Sequence, residues 1–257
     1  MAWVELEGAV NVRDLGGLPA ADGGAIVPGR LLRGDNLQEL SPADIAKLVG
    51  EIGLTTVVDL RSKHELTSEG PAPLDDVDGV RHAHHPVLPE QGSATDATAA
   101  ALLTRAGRDR ARYPGDPICG HYLGYLEDRP DQVVAALRTI AGSEGAALVH
   151  CAAGKDRTGV LVALALTAAG VPREVVVADY AATGDRIGAV LRRLRRSPTY
   201  ASDLDGKPDE SHQPRPETMA AFLQELESRY GGAEGWLAGH GFGPDDLLLL
   251  RGKLCRP

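Results

Sequence analysis

From Thr158 to Ala169 the chain is apolar on every side. A helix without a polar stripe has to be covered all round, so this segment demands a fold with layers on several of its faces. Just before it, Ala146-Ala147-Leu148-Val149 is an apolar run of strand length. Only the stretch from His150 to Arg157 separates the two. Strand, tight turn and buried helix form the local unit of an α/β layered fold.

Further units flank this one. Thr55 to Asp59 is a β-branched apolar run and reads as a buried strand. Val4-Glu5-Leu6 and Leu31-Leu32-Arg33 read as short strands, and Val80 to Val87 as a weaker one that ends at a proline. Ser41-Pro42-Ala43-Asp44 predicts a helix start, with Ser41 as N-cap and Pro42 in the first position. Ile45, Leu48 and Val49 share a face of that helix, which stops near Gly53. Helices are also predicted from Asp128, from Pro172, over Asp185–Arg196, over Pro216–Tyr230 and over Asp245–Leu254. Ser197 to Pro214 reads as a polar loop. Alternating strands and helices predict a central, mostly parallel sheet with helices on both faces. A length of 257 residues suits one domain over the whole chain. Residues 90–117, rich in Ala, Thr, Gly and Arg, read as a helical lid insertion, with a helix from about Asp96 to Arg105.

Charge and cysteines narrow the function classes. A net charge of −9 argues against non-specific nucleic-acid binding. No run of about 18 apolar residues exists to span a membrane, and Met1-Ala2-Trp3-Val4-Glu5-Leu6-Glu7 does not read as a secretory signal. Cys119, Cys151 and Cys255 are odd in number and widely spaced, which suits a reducing, cytoplasmic compartment rather than a disulfide framework. Cys119 and Cys255 read as structural. His82 and His84 would share a strand face with His85 opposite, too few ligands for a metal site, so neither metal nor cofactor is expected. Arg192, Arg193, Arg195 and Arg196 cluster on one helix and read as a solvated face.

The chemistry concentrates in His150-Cys151-Ala152-Ala153-Gly154-Lys155-Asp156-Arg157-Thr158-Gly159. A cysteine at the mouth of a buried helix faces unpaired backbone N–H groups and the positive end of the helix dipole, which stabilise a thiolate. The same amides, from Ala152 through Ala153, Gly154, Lys155 and Asp156 to Arg157, form a concave anion site. Gly154 permits the tight turn. Arg157 can grip two oxygens with a planar fork. Thiolate, amides and arginine together suit a phosphate monoester held in line for attack on phosphorus. A nucleotide-binding P-loop does not fit, because Val149 stands where the motif needs glycine and Asp156 where it needs Ser or Thr.

This loop resembles the Cys-x5-Arg signature of protein-tyrosine phosphatases and, with Gly-Lys-Asp-Arg, the atypical bacterial members of mycobacterial type. Their loop is similar in turn to those of phosphoinositide phosphatases, the myotubularins among them. The likeness extends over Asn11-Val12-Arg13-Asp14-Leu15-Gly16-Gly17, Arg33-Gly34-Asp35-Asn36-Leu37, Val57-Val58-Asp59-Leu60-Arg61 with Glu65, Asp179-Tyr180 and Tyr230-Gly231-Gly232. It implies a tyrosine-phosphatase-like fold and hydrolysis of phosphotyrosine, with phosphoserine or phosphothreonine as further substrates, through a phosphocysteine on Cys151. Phosphate or vanadate would be a site ligand. It also implies Asp156 as general acid; no Trp-Pro-Asp loop is present, and Asp59 is the competitor, otherwise an anchor for Arg61 or Arg157. Export without a visible signal is a property of the mycobacterial relatives and stands beside the cytoplasmic reading.

The remaining roles follow. Thr158 would hydrogen-bond the sulfur, and His150 would order the loop. Lys155 adds a second cation and would favour substrates carrying more than one phosphate. Asn11, Arg13 and Asp14 would brace the loop or border the pocket. A phosphoinositide phosphatase is the main alternative. A rhodanese-type sulfurtransferase and a non-catalytic phosphate-binding module are the others, disfavoured by Asp156 and by the intact Cys151–Arg157 pair.

Overall fold

The computed structural model describes residues 1–88 and 111–255. Six strands form one mixed sheet: β1 (Ala2–Trp3), β2 (Arg13–Asp14), β3 (Leu31–Gly34), β4 (Leu54–Asp59), β5 (Arg81–His84) and β6 (Ala146–His150). Their order is β1-β2-β3-β6-β4-β5. The four strands from β3 to β5 run parallel, and β1 and β2 add an antiparallel edge. β6 lies between β3 and β4, so the residue after it emerges at the centre of the parallel sheet, at the strands' C-terminal ends.

Alternation along the strands sorts side chains onto two faces. Ala147, Val149, Val58 and Leu31 enter the larger core, and Ala146, Leu148, Val57 and Leu32 the smaller one. Over the larger core lie α3 (Pro117–Asp128), α4 (Pro130–Ala141), α5 (Asp156–Ala168), α6 (Arg173–Ala182), α9 (Pro216–Tyr230), α10 (Gly232–Gly239) and α11 (Pro244–Leu254). The smaller core is closed by the N-terminal segment and by α1 (Pro42–Ile45), which continues as a π-helix over Ala46–Glu51. α5 is the helix apolar on every side, and it is buried nearly along its whole length. α2 (Lys63–Glu69), α7 (Ile187–Leu194) and the short α8 (Ala201–Leu204) are further helices among the described residues.

Three sequence expectations change. The first strand is Ala2–Trp3 rather than Val4-Glu5-Leu6: Val4 N–H still donates to Val12 O at 2.9 Å, and further on the N–H groups of Glu7 and Gly8 are taken by the Asp44 carboxylate, each at 2.8 Å. That carboxylate also closes the capping box with Ser41, so α1 and the N-terminal segment are fixed together. Ser197 to Pro214 is not wholly a loop. It holds α8 and a 3-10 turn over Asp209–His212, because Tyr200 and Leu204 are buried against Ala152 and the face of α7. The weaker strand shortens to Arg81–His84. The helix expected near Asp96–Arg105 lies outside the described residues. Among the described residues, no helix is long and apolar enough to cross a membrane.

Candidate active site

Cys151 directly follows β6, and Asp156 opens α5, so the intervening loop sits at the N-terminus of a long buried helix. Its carbonyls are individually held from behind. Asn36 N–H donates to Ala152 O at 2.9 Å, Asn11 Nδ2 to Ala153 O at 2.9 Å, and Arg33 Nη2 to Gly154 O at 2.8 Å. A trans peptide points its N–H opposite to its C=O. Fixing these three carbonyls therefore turns the amides of Ala153, Gly154 and Lys155 toward the concave face. Gly154 has φ +67°, and a Cβ there would lie 2.4 Å from Gly34 O, so glycine is required both by conformation and by space.

The bracing residues are themselves tied into a buried ionic cluster. Asp179 accepts from Arg13 Nε at 2.8 Å and from Arg33 Nη1 at 2.5 Å, and Arg13 Nη1 donates to Asn11 Oδ1 at 2.9 Å. All four residues are buried. Burial alone pushes the Asp179 carboxyl up, but Arg33 and Arg13 outweigh it and leave it below the usual carboxylate range.

A cavity of about 100 Å³ opens over Cys151. Its base is Cys151, Ala152, Ala153, Lys155, Asp156 and Arg157; Glu65 adds a polar wall, and Ile187, Leu191, Leu194, Tyr200 and Leu204 an apolar one. Cys151 is 2% exposed. Arg157 reaches across to Glu65, with Nη1 at 2.7 Å from Oε2 and Nη2 at 2.9 Å from Oε1. Glu65 is completely buried and is also the capping-box residue of α2, accepting from Ser62 N–H at 2.7 Å. One carboxylate thus starts a helix and orients the guanidinium. The fork expected to hold phosphate is, on its Nη1–Nη2 edge, a fork on Glu65.

Asp156 accepts from Tyr122 Oη at 2.5 Å, and its other oxygen lies 3.5 Å from Lys155 Nζ. Lys155 donates to His212 O at 2.9 Å and so ties the loop to the turn facing it. Thr158 Oγ1 is buried and has no hydrogen-bond partner among the described residues.

Asp59 does not line this cavity. Its carboxylate is taken by Arg61 through N–H, Nε and Nη2, the last at 2.6 Å, and His150 Nε2 lies 3.4 Å away. Burial raises its carboxyl, but His150 and Arg61 overcome that and hold it well below the usual range. Its exposed side opens to a separate polar cavity with Thr67, Asp75, His82 and His84. The expected role of Asp14 is corrected too: its carboxylate accepts from Gly16 N–H and Gly29 N–H, each at 2.8 Å, and shapes a turn instead of the loop. The three histidines of the β5 region have separate partners, Leu74 O, Arg61 O and Thr139 Oγ1. The arginine cluster is only partly a solvated face, because Arg193 pairs with the buried Asp35 and with Glu39, and Arg195 with Asp209.

Sequence reasoning gave no role to Arg33, Asn36, Asp179, Tyr122 or Tyr180. Four of them lie inside the motifs named above, but their partners are distant in the chain: Asp179 is 146 positions from Arg33, and Tyr180 is 58 from Tyr122.

A family model described as the tyrosine phosphatase family matches residues 4–256. The chain is 32% identical over 279 residues to a triple specificity protein phosphatase, PtpB, of Mycobacterium tuberculosis, covering 99% of each. It is 35% identical over 178 residues to a putative tyrosine-protein phosphatase of Cupriavidus necator, covering 68% of this chain and 61% of that one. A tyrosine-protein phosphatase of Nostoc commune is 34% identical over 138 residues, covering 52% of this chain and 46% of its own.

Proposed function

The chain belongs to the tyrosine phosphatase family and is a cysteine-dependent protein-tyrosine phosphatase; on that premise we propose that Cys151 is the nucleophile, Arg157 the phosphate clamp and Asp156 the general acid. The observation that carries the assignment is that these three side chains line one cavity over a loop whose amides are turned inward, whereas Asp59 opens elsewhere.

In the first step the Cys151 sulfur forms a bond to phosphorus as the ester P–O bond breaks. The leaving oxygen takes the proton of Asp156. Inward amides and Arg157 hold the equatorial oxygens, where charge accumulates. A guanidinium has a second edge, Nε with Nη2, and that edge is assigned to phosphate while Glu65 sets its orientation. In the second step water attacks phosphorus, the P–S bond breaks, and Asp156 takes back a proton. Thr158 Oγ1 is buried beside the loop as a donor to the departing sulfur. His150, between Cys151 O and Asp59, orders the strand end.

The apolar wall from Ile187 to Leu204 suits an aromatic ring, which supports phosphotyrosine as the preferred substrate class. Lys155 is committed to His212 O, so this arrangement lends no support to a preference for substrates with several phosphates. Inorganic phosphate and vanadate are the expected site ligands.

The test is a leaving-group series on wild-type, Cys151→Ser, Asp156→Asn and Asp59→Asn proteins. Cys151→Ser should lose several orders of magnitude of turnover while still binding phosphate. Asp156→Asn should slow phenyl phosphate by about 10²–10³-fold, within the span of general acid catalysis, and nitrophenyl phosphate much less. Asp59→Asn should lower thermal stability and affect both substrates alike. A leaving-group dependence confined to Asp59→Asn would reverse the assignment.

A further inference from the structure

Asp156 has two carboxylate oxygens, and the protein treats them differently. Tyr122 Oη lies 2.5 Å from Oδ1 and 2.7 Å from Tyr180 Oη. Both phenols are driven away from ionisation, first by burial and then by the charge of Asp156. Each therefore keeps its single proton, and an ionised carboxylate can only accept. One arrangement satisfies all three groups: Tyr180 donates to the Tyr122 oxygen, and Tyr122 donates to Asp156 Oδ1.

The chain of hydroxyls is set by packing. The Tyr122 ring lies edge-on to Tyr180, with centroids 6.2 Å apart, and edge-on to Phe222 at 6.1 Å. Tyr122 comes from α3 and Tyr180 from α6. Tyr180 is seated by Gly159, where a Cβ would stand 2.9 Å from Cδ2 of its ring. Neither phenol lines the cavity over Cys151.

We propose that Tyr122 is a positioning residue for the phosphatase reaction, with Tyr180 behind it, and that pinning Oδ1 reserves Oδ2 of Asp156 for the transferred proton. This rests on the reading of Asp156 as general acid. A carboxyl free to rotate distributes its proton over two oxygens and many orientations. A phenol donor on Oδ1 denies that oxygen the proton and fixes the plane of the group, which favours a near-attack geometry. In the first step the Oδ2–H bond breaks as the leaving oxygen departs. In the second, Oδ2 receives the proton from the attacking water. Tyr122 donates throughout and transfers nothing. The charged and titratable groups facing this set are Lys155 on the loop, His212 on the opposing turn, and Arg33 and Asp116 around Tyr180.

The experiment measures kcat and KM for phenyl and nitrophenyl phosphate in wild-type, Tyr122→Phe, Tyr180→Phe, Asp156→Asn and Tyr122→Phe/Asp156→Asn proteins. Phe keeps the ring contacts and removes only the donor. Tyr122→Phe should lower kcat for phenyl phosphate about tenfold, a fraction of the 10²–10⁴ that a general acid supplies. Its KM should be unchanged and its effect on nitrophenyl phosphate smaller. Tyr180→Phe should show the same pattern more weakly, and it serves alone if Tyr122→Phe does not fold. In the Asp156→Asn background Tyr122→Phe should add nothing, because the pair acts as a unit. Equal slowing of both substrates or full additivity in that background would overturn the positioning role while leaving Asp156 intact. Absence of leaving-group dependence in Asp156→Asn itself would remove the general acid and the proposal with it.

Discussion

Behind the loop from Cys151 to Arg157 stand Asn11, Arg33 and Asn36, and behind those Arg13 and Asp179. In front of it stand Ile187, Leu191, Leu194, Tyr200 and Leu204. The rear support is polar, buried and directional: the carbonyls of Ala152, Ala153 and Gly154 each have a named donor. The front wall is apolar, and its contacts depend on shape and area alone. The two are also joined differently to the sheet. Arg33 belongs to β3 itself, and Arg13 to β2. The front wall hangs from outside, through Arg193 on Asp35, Arg195 on Asp209 and Lys155 on His212 O. Buried polar networks over-determine a geometry because every broken bond leaves an uncompensated group. An apolar wall can repack at small cost. The rear therefore fixes the chemistry, and the front sets which substrate fits.

Removing the centre of the rear support should have the largest effect on stability. Asp179→Ala leaves two buried guanidinium groups without their carboxylate, and breaking such a pair costs about 3–5 kcal/mol. The urea midpoint should fall accordingly, and activity should fall with it because Arg33 loses its anchor for Gly154 O. Acid titration provides an independent reading. The folded-state value of Asp179 lies below its ordinary 3.8. Its contribution is thus complete above that pH and is lost as pH falls through the folded value. Asp179→Asn should flatten this part of the stability profile. An unchanged slope below pH 3.8 would show that the cluster is not held by charge.

Arg157→Lys should come next, now read in activity. A lysine keeps the positive charge but cannot meet Glu65 and phosphate with two planar edges. A loss of about 10²–10³-fold in kcat is expected, the scale of one missing transition-state donor. Thermal stability should fall as well, since Glu65 stays buried without its bidentate partner. A lysine variant with most of its activity would mean that charge suffices there and that the directional rear support ends short of Arg157.

The contrast also explains what was legible in the sequence. β6 and α5 were readable because periodicity is local: an apolar run and a helix with no polar face announce burial by themselves. The nucleophile loop was readable for the same reason, its residues being consecutive. Glu65 enters the sequence reading only through the resemblance; its place in the capping box with Ser62 and its pairing with Arg157, 92 positions away, belong to the folded chain. Asp179 is legible only through the resemblance, since nothing in Asp179-Tyr180 says that two arginines from another layer converge on it. The α7 part of the front wall lies within the helix predicted over Asp185–Arg196, but the rest reads as loop because Tyr200 and Leu204 are isolated apolar residues in a polar stretch. Their burial depends on Ala152 and α7 being in place first. Val4-Glu5-Leu6 has strand character, but the regular pairing lies at Ala2–Trp3, and past Val4 the chain is fixed by Asp44 at the N–H groups of Glu7 and Gly8, which no local pattern announces.

The smallest effect is expected at the front. Leu191 is 2% exposed and packs with Ile187, Val190, Tyr200 and Ala152. Leu191→Ala removes methyl groups from a wall that already borders a cavity, so the added void joins existing space instead of opening a sealed one. The stability loss should sit near the lower end of core truncations, about 2 kcal/mol. No carbonyl of the loop loses a donor, and no hydrogen bond to Asp156 or Arg157 changes. The kcat for nitrophenyl phosphate should stay within about twofold, since only binding common to ground and transition state is altered. The KM for aryl phosphates should rise, and substrates with a bulkier apolar group should lose less than slim ones because they refill the space. Saturation kinetics on a set of ring-substituted phenyl phosphates would measure this directly. A kcat loss in Leu191→Ala comparable to that of Arg157→Lys would mean that the apolar wall holds the loop as firmly as the polar network does, and the division of labour between front and rear would fail.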